Sequence, residues 1–201
     1  EKERLAQVAC ECLKLDCPEP DLEDWKNMVN ALKHPTSEVT VALVGKYITL
    51  HDAYISVVEA LKHGGIASHS VVNIKWVDFE TDNVAELLGD VNGILVPGGF
   101  GSRGIEGKIT AIEYARTHNI PFLGLCLGMQ LSIVEYARHV LKYTDAHSIE
   151  LDPKTTHPVI DLMPDQQNID EKGGTMRLGK YPCRLNHDSI SYAAYGEENI
   201  F

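Results

Sequence analysis

Pro121-Phe122-Leu123-Gly124-Leu125-Cys126-Leu127-Gly128-Met129-Gln130 is the stretch on which the reading of the whole chain turns. Its apolar run, 122–125, has the length and composition of a buried strand, and the pattern from Met129 to about His139 predicts a helix. Between them stands Gly124-x-Cys126-x-Gly128, the thiol form of a nucleophile elbow. This is a tight strand-to-helix turn that lifts one side chain above the end of a sheet. The turn forces its central residue into a strained backbone conformation, and glycine on either side removes the Cβ atoms that would collide there. The helix that follows aims its first N–H groups and its positive dipole end at the sulfur, which favours negative charge on it. A lone free cysteine is more often a small buried hydrophobe. Two flanking glycines, a strand before and a helix after make Cys126 a candidate nucleophile instead.

Upstream, residues 39–45 form a buried-strand run ending in glycine, where a doubly wound domain should start. Asp52 is expected to cap the next helix, with the apolar stripe Tyr54, Val57, Val58 and Leu61, and His63-Gly64-Gly65 to stop it. Residues 71–77 are the second strand, a weaker helix follows at about 84–88, and 93–96 are the third strand. That strand runs straight into Pro97-Gly98-Gly99-Phe100-Gly101-Ser102-Arg103-Gly104. A helix from Ile105 to about Thr117 then leads to the fourth strand. Strand and helix alternate with connections too long for hairpins. The expected fold is therefore α/β and flavodoxin-like, a mostly parallel sheet with helices on both faces. Ligands of such sheets sit at the carboxyl ends of the strands. Both glycine turns fall there, so they should build one site.

Residues 1–37 read differently, as two short helices (about 3–15 and 21–32) separated by Cys17-Pro18-Glu19-Pro20 and ended by His34-Pro35-Thr36-Ser37. They look like a connector from something upstream, with 38–201 as the main domain. Cys10-x-Cys12 with Cys17 lacks the spacing and the histidine set of a zinc site, and no metal is expected. Past Lys142 the pattern loosens. Residues 148–150, 158–162, 175–179 and 183–186 read as short strands or irregular chain, and 165–174 as a flexible polar loop.

A length of 201 residues suits one α/β domain plus a tail, and 44% hydrophobic with 23% charged residues is the balance of a soluble globular protein. A net charge of −11 repels nucleic acid and anionic membranes, so neither is an expected partner. No apolar run is long enough to span a bilayer and no signal peptide opens the chain. Five cysteines, an odd number, suit a reducing cytoplasm better than a disulfide scaffold.

A thiolate attacking an acyl carbon needs donors for the oxyanion. In an elbow the N–H of the next residue, Leu127, supplies one; a second must come from another strand's loop, and Pro97-Gly98-Gly99 is suitably placed because glycine lets a backbone N–H approach closely. A phosphate cradle is the rival use of that turn, but it lacks the lysine and hydroxyl of a P-loop. Taken together, Pro97-Gly98-Gly99 and Gly124-x-Cys126-x-Gly128-x-Gln130 resemble the triad-type (class I) glutamine amidotransferases. More narrowly, several segments are similar to the amidotransferase domains of the CTP synthase family, bacterial in type. These are Val44-Gly45-Lys46-Tyr47, His51-Asp52-Ala53-Tyr54, Pro97 to Lys108, Cys126 to Gln130, and Gly173-Gly174-Thr175-Met176-Arg177-Leu178-Gly179.

The resemblance implies that Cys126 forms a γ-glutamyl thioester with L-glutamine. Gly99 and Leu127 would supply the oxyanion hole, Leu127, Gly128, Met129 and Gln130 would line the glutamine pocket, and Glu150 would hold the substrate's α-amino group. It also implies that Phe100, Arg103, Gly104 and Glu106 receive GTP as an activator, with Gly173 to Gly179 as a nearby lid. No cofactor is expected in this domain. ATP, Mg2+ and UTP would belong to a synthetase domain of the same chain, whose last helix and linker 1–37 resemble, in a parent expected to be a homotetramer. The family's general base is a histidine in a His-Pro-Glu segment, which has no match here. His157-Pro158 is followed by Val159 and comes too early, and His51, His118, His139, His147 and His187 each read as ordinary surface or core histidines. The sequence is therefore expected to be a truncated piece of a larger enzyme. The alternatives are another class I amidotransferase or γ-glutamyl hydrolase, or a catalytically inactive flavodoxin-like binding domain.

Overall fold

The computed structural model describes residues 3–16, 18–45, 50–80, 83–99, 101–162 and 180–201. They fall into two compact units, Glu1–Ile160 and Asp161–Phe201. The first opens with α1 (Leu5–Leu13), which buries no side chain, and α2 (Glu23–Lys33), which buries only Ala31.

Next come β1 (Ser37–Gly45), a 3-10 turn at His51–Tyr54, α3 (Ile55–Ala67), β2 (Ser70–Asp78), α4 (Val84–Leu87) and β3 (Gly93–Val96). They are followed by α5 (Ile105–Thr117), β4 (Phe122–Gly124), α6 (Leu127–His139), β5 (His147–Ser148) and β6 (Pro158–Ile160). Strands β1 to β4 form one parallel sheet in the order β2-β1-β3-β4. As the sequence predicts, helices cover both faces. Alternate strand residues point to opposite sides, so Ala42, Val44, Val77, Ile94 and Val96 pack with α4, α5 and α6. Val41, Leu43, Ile74, Trp76 and Leu95 pack with Tyr54, Val57 and Leu61 of the other layer. β3 is buried on both faces, as its unbroken apolar run requires. The parallel register sets Val96 beside Gly124, so β3 and β4 end level with each other.

Two expectations around α3 are corrected. Asp52 does not cap α3: it lies inside the 3-10 turn, and Tyr54 stands at the N-cap of that helix. Nor do Gly64 and Gly65 stop the helix, which runs through them to Ala67. A Cβ on Gly65 would lie 2.6 Å from the Ser70 carbonyl oxygen and 2.8 Å from Val72 Cγ2. Glycine is there to let helix and strand approach, a role that local punctuation rules cannot distinguish from termination.

In the second unit β7 (Cys183–Arg184) pairs antiparallel with β8 (Asn199–Ile200) around α7 (Ile190–Tyr195). The N-cap of α7 is Ser189, whose hydroxyl accepts from Tyr192 N at 3.0 Å. The loop expected at 165–174 and the strand expected at 175–179 lie outside the described residues. No helix among the described residues is long and apolar enough to cross a membrane.

Candidate active site

Cys126 is the N-cap of α6, with φ 51° and ψ −105°, and its side chain is exposed. A non-glycine residue holds such dihedrals only where its surroundings over-determine them. They do so here through backbone contact. A Cβ on Gly124 would come within 2.5 Å of Gly128 C and Met129 N, and one on Gly128 within 2.1 Å of the Val96 carbonyl oxygen. The flanking glycines thus let β4, α6 and β3 meet; they do not simply make room for the cysteine.

The two glycine turns lie side by side. Leu125 N donates to Val96 O at 3.0 Å. A Cβ on Gly98 would sit 3.3 Å from Cys126 Cβ and 4.0 Å from its Sγ. At Gly99 the same construction meets nothing within 4 Å. Leu127 and Gly128 are buried, Met129 is exposed, and Gln130 is half-buried with its N–H donating to Cys126 O at 3.1 Å.

Phe100 lies outside the described residues. Arg103 turns its guanidinium fork onto Glu80, with Nε on one carboxylate oxygen and Nη2 on the other at 2.6 Å. Gly104 precedes α5 with φ 69°, and the Phe79 ring occupies the place where its Cβ would be. Packing alone therefore demands glycine at 104. Glu106, in the first turn of α5, accepts from Arg138 Nη1 at 3.0 and 3.1 Å. Ser102, Gly104, Glu106 and Gly107 form one wall of a cleft of about 280 Å³, and His147 and Leu151 form the other. Glu150 is half-buried in the turn after β5, its N–H donating to Ser148 Oγ at 3.3 Å.

Among the described residues no histidine hydrogen-bonds to the Cys126 thiol. His51 stacks on Trp76 with ring centroids 4.1 Å apart, and His118 stacks on Tyr114. His139 Nδ1 meets Glu135 at 3.1 Å, His187 packs on Tyr192, and His157 Nδ1 meets Asp145 at 2.5 Å. His147 Nδ1 accepts from Ser148 N at 2.9 Å, which leaves its proton on Nε2. Burial, helped by the Arg138 charge, pushes the His147 imidazole down in pKa and keeps it neutral.

Glu113, Glu135 and His139 converge on the α5–α6 face. Arg116 already holds both oxygens of Glu135 at 2.7–3.1 Å, so the cluster is an ion network with its positive charge built in. Sequence reasoning missed Arg116 and Arg138. Each sits on a helix whose period marks it as one more surface cation, and only the tertiary partners reveal the connections.

A parallel α/β sheet that carries a cysteine at positive φ in a tight strand–helix turn, beside a second glycine turn at the end of the neighbouring strand, has the architecture of the α/β class built on a nucleophile elbow. The chain belongs to the class-I glutamine amidotransferase family: the model of that family, described as "Glutamine amidotransferase class-I", matches residues 49–199. It is 59% identical over 203 residues to a CTP synthase of Clostridium kluyveri and 53% identical over 204 residues to one of Geobacillus kaustophilus. Both alignments take in 100% of this chain and 38% of the relative, so the chain spans well under half the length of these relatives. Among solved structures it is similar to the glutaminase domain of Trypanosoma brucei CTPS with bound acivicin. The identity is 33% and the TM-score 0.67, covering 80% of this chain and 64% of that one.

Proposed function

We propose that this chain is the glutamine-hydrolysing part of a CTP synthase, and that Cys126 is its nucleophile. The observation that carries the reading is the Cys126 backbone, held at positive φ by close glycine packing with Gly98 against its side chain. The sulfur attacks the γ-carboxamide carbon of L-glutamine and a C–S bond forms. The N–H groups of Gly99 and Leu127 take the oxyanion. The C–N bond then breaks, the nitrogen leaves as ammonia with a proton delivered to it, and water adds to the thioester to release glutamate and restore the thiol. Residues 127–130 line the pocket, and Glu150 holds the α-amino group.

Ammonia would pass to a synthetase domain that aminates UTP using ATP and Mg2+, in a cytoplasmic homotetramer. GTP would act at Phe100, Arg103, Gly104 and Glu106. Arg103 offers the guanidinium fork that suits a phosphate, and a phosphate bound there would take the place of the Glu80 carboxylate that the fork grips in this structure. The test is intact mass after exposure to a glutamine-mimicking chloroketone, with Cys126→Ala as control. One adduct, mapped to Cys126 and formed faster than on free cysteine, is expected. Equal labelling across the five cysteines would overturn the reading.

A further inference from the structure

The cleft beside the α5 N-terminus is walled by two segments that the proposed function uses separately. One is 102–107, with the residues assigned to GTP; the other is 147–151, with Glu150. Arg138 bridges the first of them to the residue just before the second. Arg138, in the last turn of α6 and only 15% exposed, donates Nε to the Ala146 carbonyl at 2.7 Å and Nη1 to both Glu106 oxygens at 3.0 and 3.1 Å. One planar guanidinium thus sets two distances at once, and its fork fixes their relative direction. The Ala146 carbonyl lies one residue before β5 and four before Glu150, and the short path between them is itself pinned. Ser148 N donates to His147 Nδ1, and Glu150 N donates to Ser148 Oγ.

We propose that Arg138 is a positioning residue that ties the 102–107 turn to the Glu150 segment, so that the state of the turn and the affinity for glutamine are coupled. The inference rests on the proposed function for the roles of Glu150 and Glu106, but the tie itself does not. Its logic is mechanical. Whatever draws Glu106 toward the turn pulls on the same guanidinium that holds Ala146, and α6 carries that guanidinium at one end and Cys126 at the other. His147, in the same cleft, is pushed toward its neutral form by burial and the Arg138 charge, and a neutral imidazole does not compete with Arg138 for the Glu106 carboxylate.

Two measurements test the proposal. The first is saturation of Cys126 labelling by the chloroketone in wild type, Arg138→Gln and Arg138→Lys, with plain iodoacetamide as a reagent that ignores the pocket. Loss of the fork should raise the half-saturating concentration about tenfold. The limiting rate and the iodoacetamide rate should stay within about twofold of wild type, and lysine should not restore what the fork supplied. A merely structural role would instead lower every rate together. The second is amide hydrogen exchange in Glu106→Gln, which cuts one arm only and uses no ligand. Faster exchange in 146–151 as well as in 102–107 is expected. Exchange confined to 102–107, or a wild-type saturation curve for Arg138→Gln, would overturn the coupling. If wild type labels without saturation while the Glu106→Gln exchange spreads to 146–151, the glutamine reading fails and the Arg138 tie stands.

Discussion

Gly128 on α6 and Val96 on β3 touch so closely that no side chain fits between them: a Cβ at 128 would lie 2.1 Å from the Val96 carbonyl oxygen. This contact seats the helix that begins at the candidate nucleophile. Gly128→Ala must push the first turn of α6 away from the sheet. It should cost about 2 kcal/mol of stability as an overpacking change. The larger effect falls on the site, since a shift of about 1 Å in a reacting atom is worth about a hundredfold in rate. The check is the rate of Cys126 labelling set against the urea midpoint. Near-normal labelling in a destabilised protein would mean that the contact serves stability alone.

Glu135, 1% exposed, and Arg116, 35% exposed, join α6 to α5 through three hydrogen bonds, and the pairing holds the guanidinium firmly protonated. Glu135→Ala leaves a cation at an apolar face. Removing one partner of a fully buried pair costs about 3–5 kcal/mol, and about 2–3 is expected here because Arg116 can turn toward water. The double variant Arg116→Met, Glu135→Leu should recover most of that loss, since apolar replacement removes both desolvation costs. Denaturant titrations of the single and double variants decide it. Equal losses in both would show that the pair contributes through packing rather than charge.

Much of the sheet was legible because β1, β3 and β4 carry apolar runs, β2 alternates Val, Ile and Trp with Asn73 and Lys75, and the longer crossovers carry a helical period. The elbow was legible for the same reason: its glycines and cysteine are neighbours in sequence. What stayed hidden depends on contacts between distant segments. Gly64-Gly65 reads as a helix stop, yet α3 passes through it because Gly65 faces Ser70 and Val72 while Gly64 faces open space. Arg138 gave no local signal, since Glu106 and Ala146 come to it from other elements. α7 escaped notice because six residues show too little periodicity to mark a helix.

The two glycines of α3 can be separated by experiment. Gly64→Ala should stabilise by about 0.5–1 kcal/mol, the helix-propensity gain at an open position. Gly65→Ala should destabilise, because its methyl would strike the Ser70 carbonyl. Thermal melts of the two variants give the comparison, and shifts of the same sign would refute this account of α3.

Asp145 makes part of the stability acid-sensitive. Thr156 donates its hydroxyl and its N–H to one carboxylate oxygen at 2.6 and 2.7 Å, and His157 meets the other, which holds the Asp145 carboxyl well below its usual range. A depressed folded pKa contributes stability that is present above the unfolded value and lost as pH falls through the acid range, beginning near pH 5. Asp145→Asn should therefore be less stable than wild type at pH 7 and lose less between about pH 5 and 3. Denaturant unfolding across that window measures it. Parallel pH profiles for the two proteins would count against the assignment.

Cys126 should be a residue whose removal stabilises the fold. With φ 51° and ψ −105° it occupies a region that costs a non-glycine residue about 1–3 kcal/mol. Cys126→Gly relieves that strain but adds freedom to the unfolded chain, which returns about 0.4–1 kcal/mol. A net gain of about 1 kcal/mol is expected, seen as a higher melting temperature together with complete loss of labelling at position 126. Cys126→Ala keeps the Cβ and therefore the strain, so it should lose labelling without the gain. That contrast separates backbone strain from sulfur chemistry. If glycine and alanine melt alike, the dihedrals are not strained in solution. If glycine melts higher, stability is being held below its optimum at the one side chain the elbow exposes, as expected where a site is built for reaction rather than for rest.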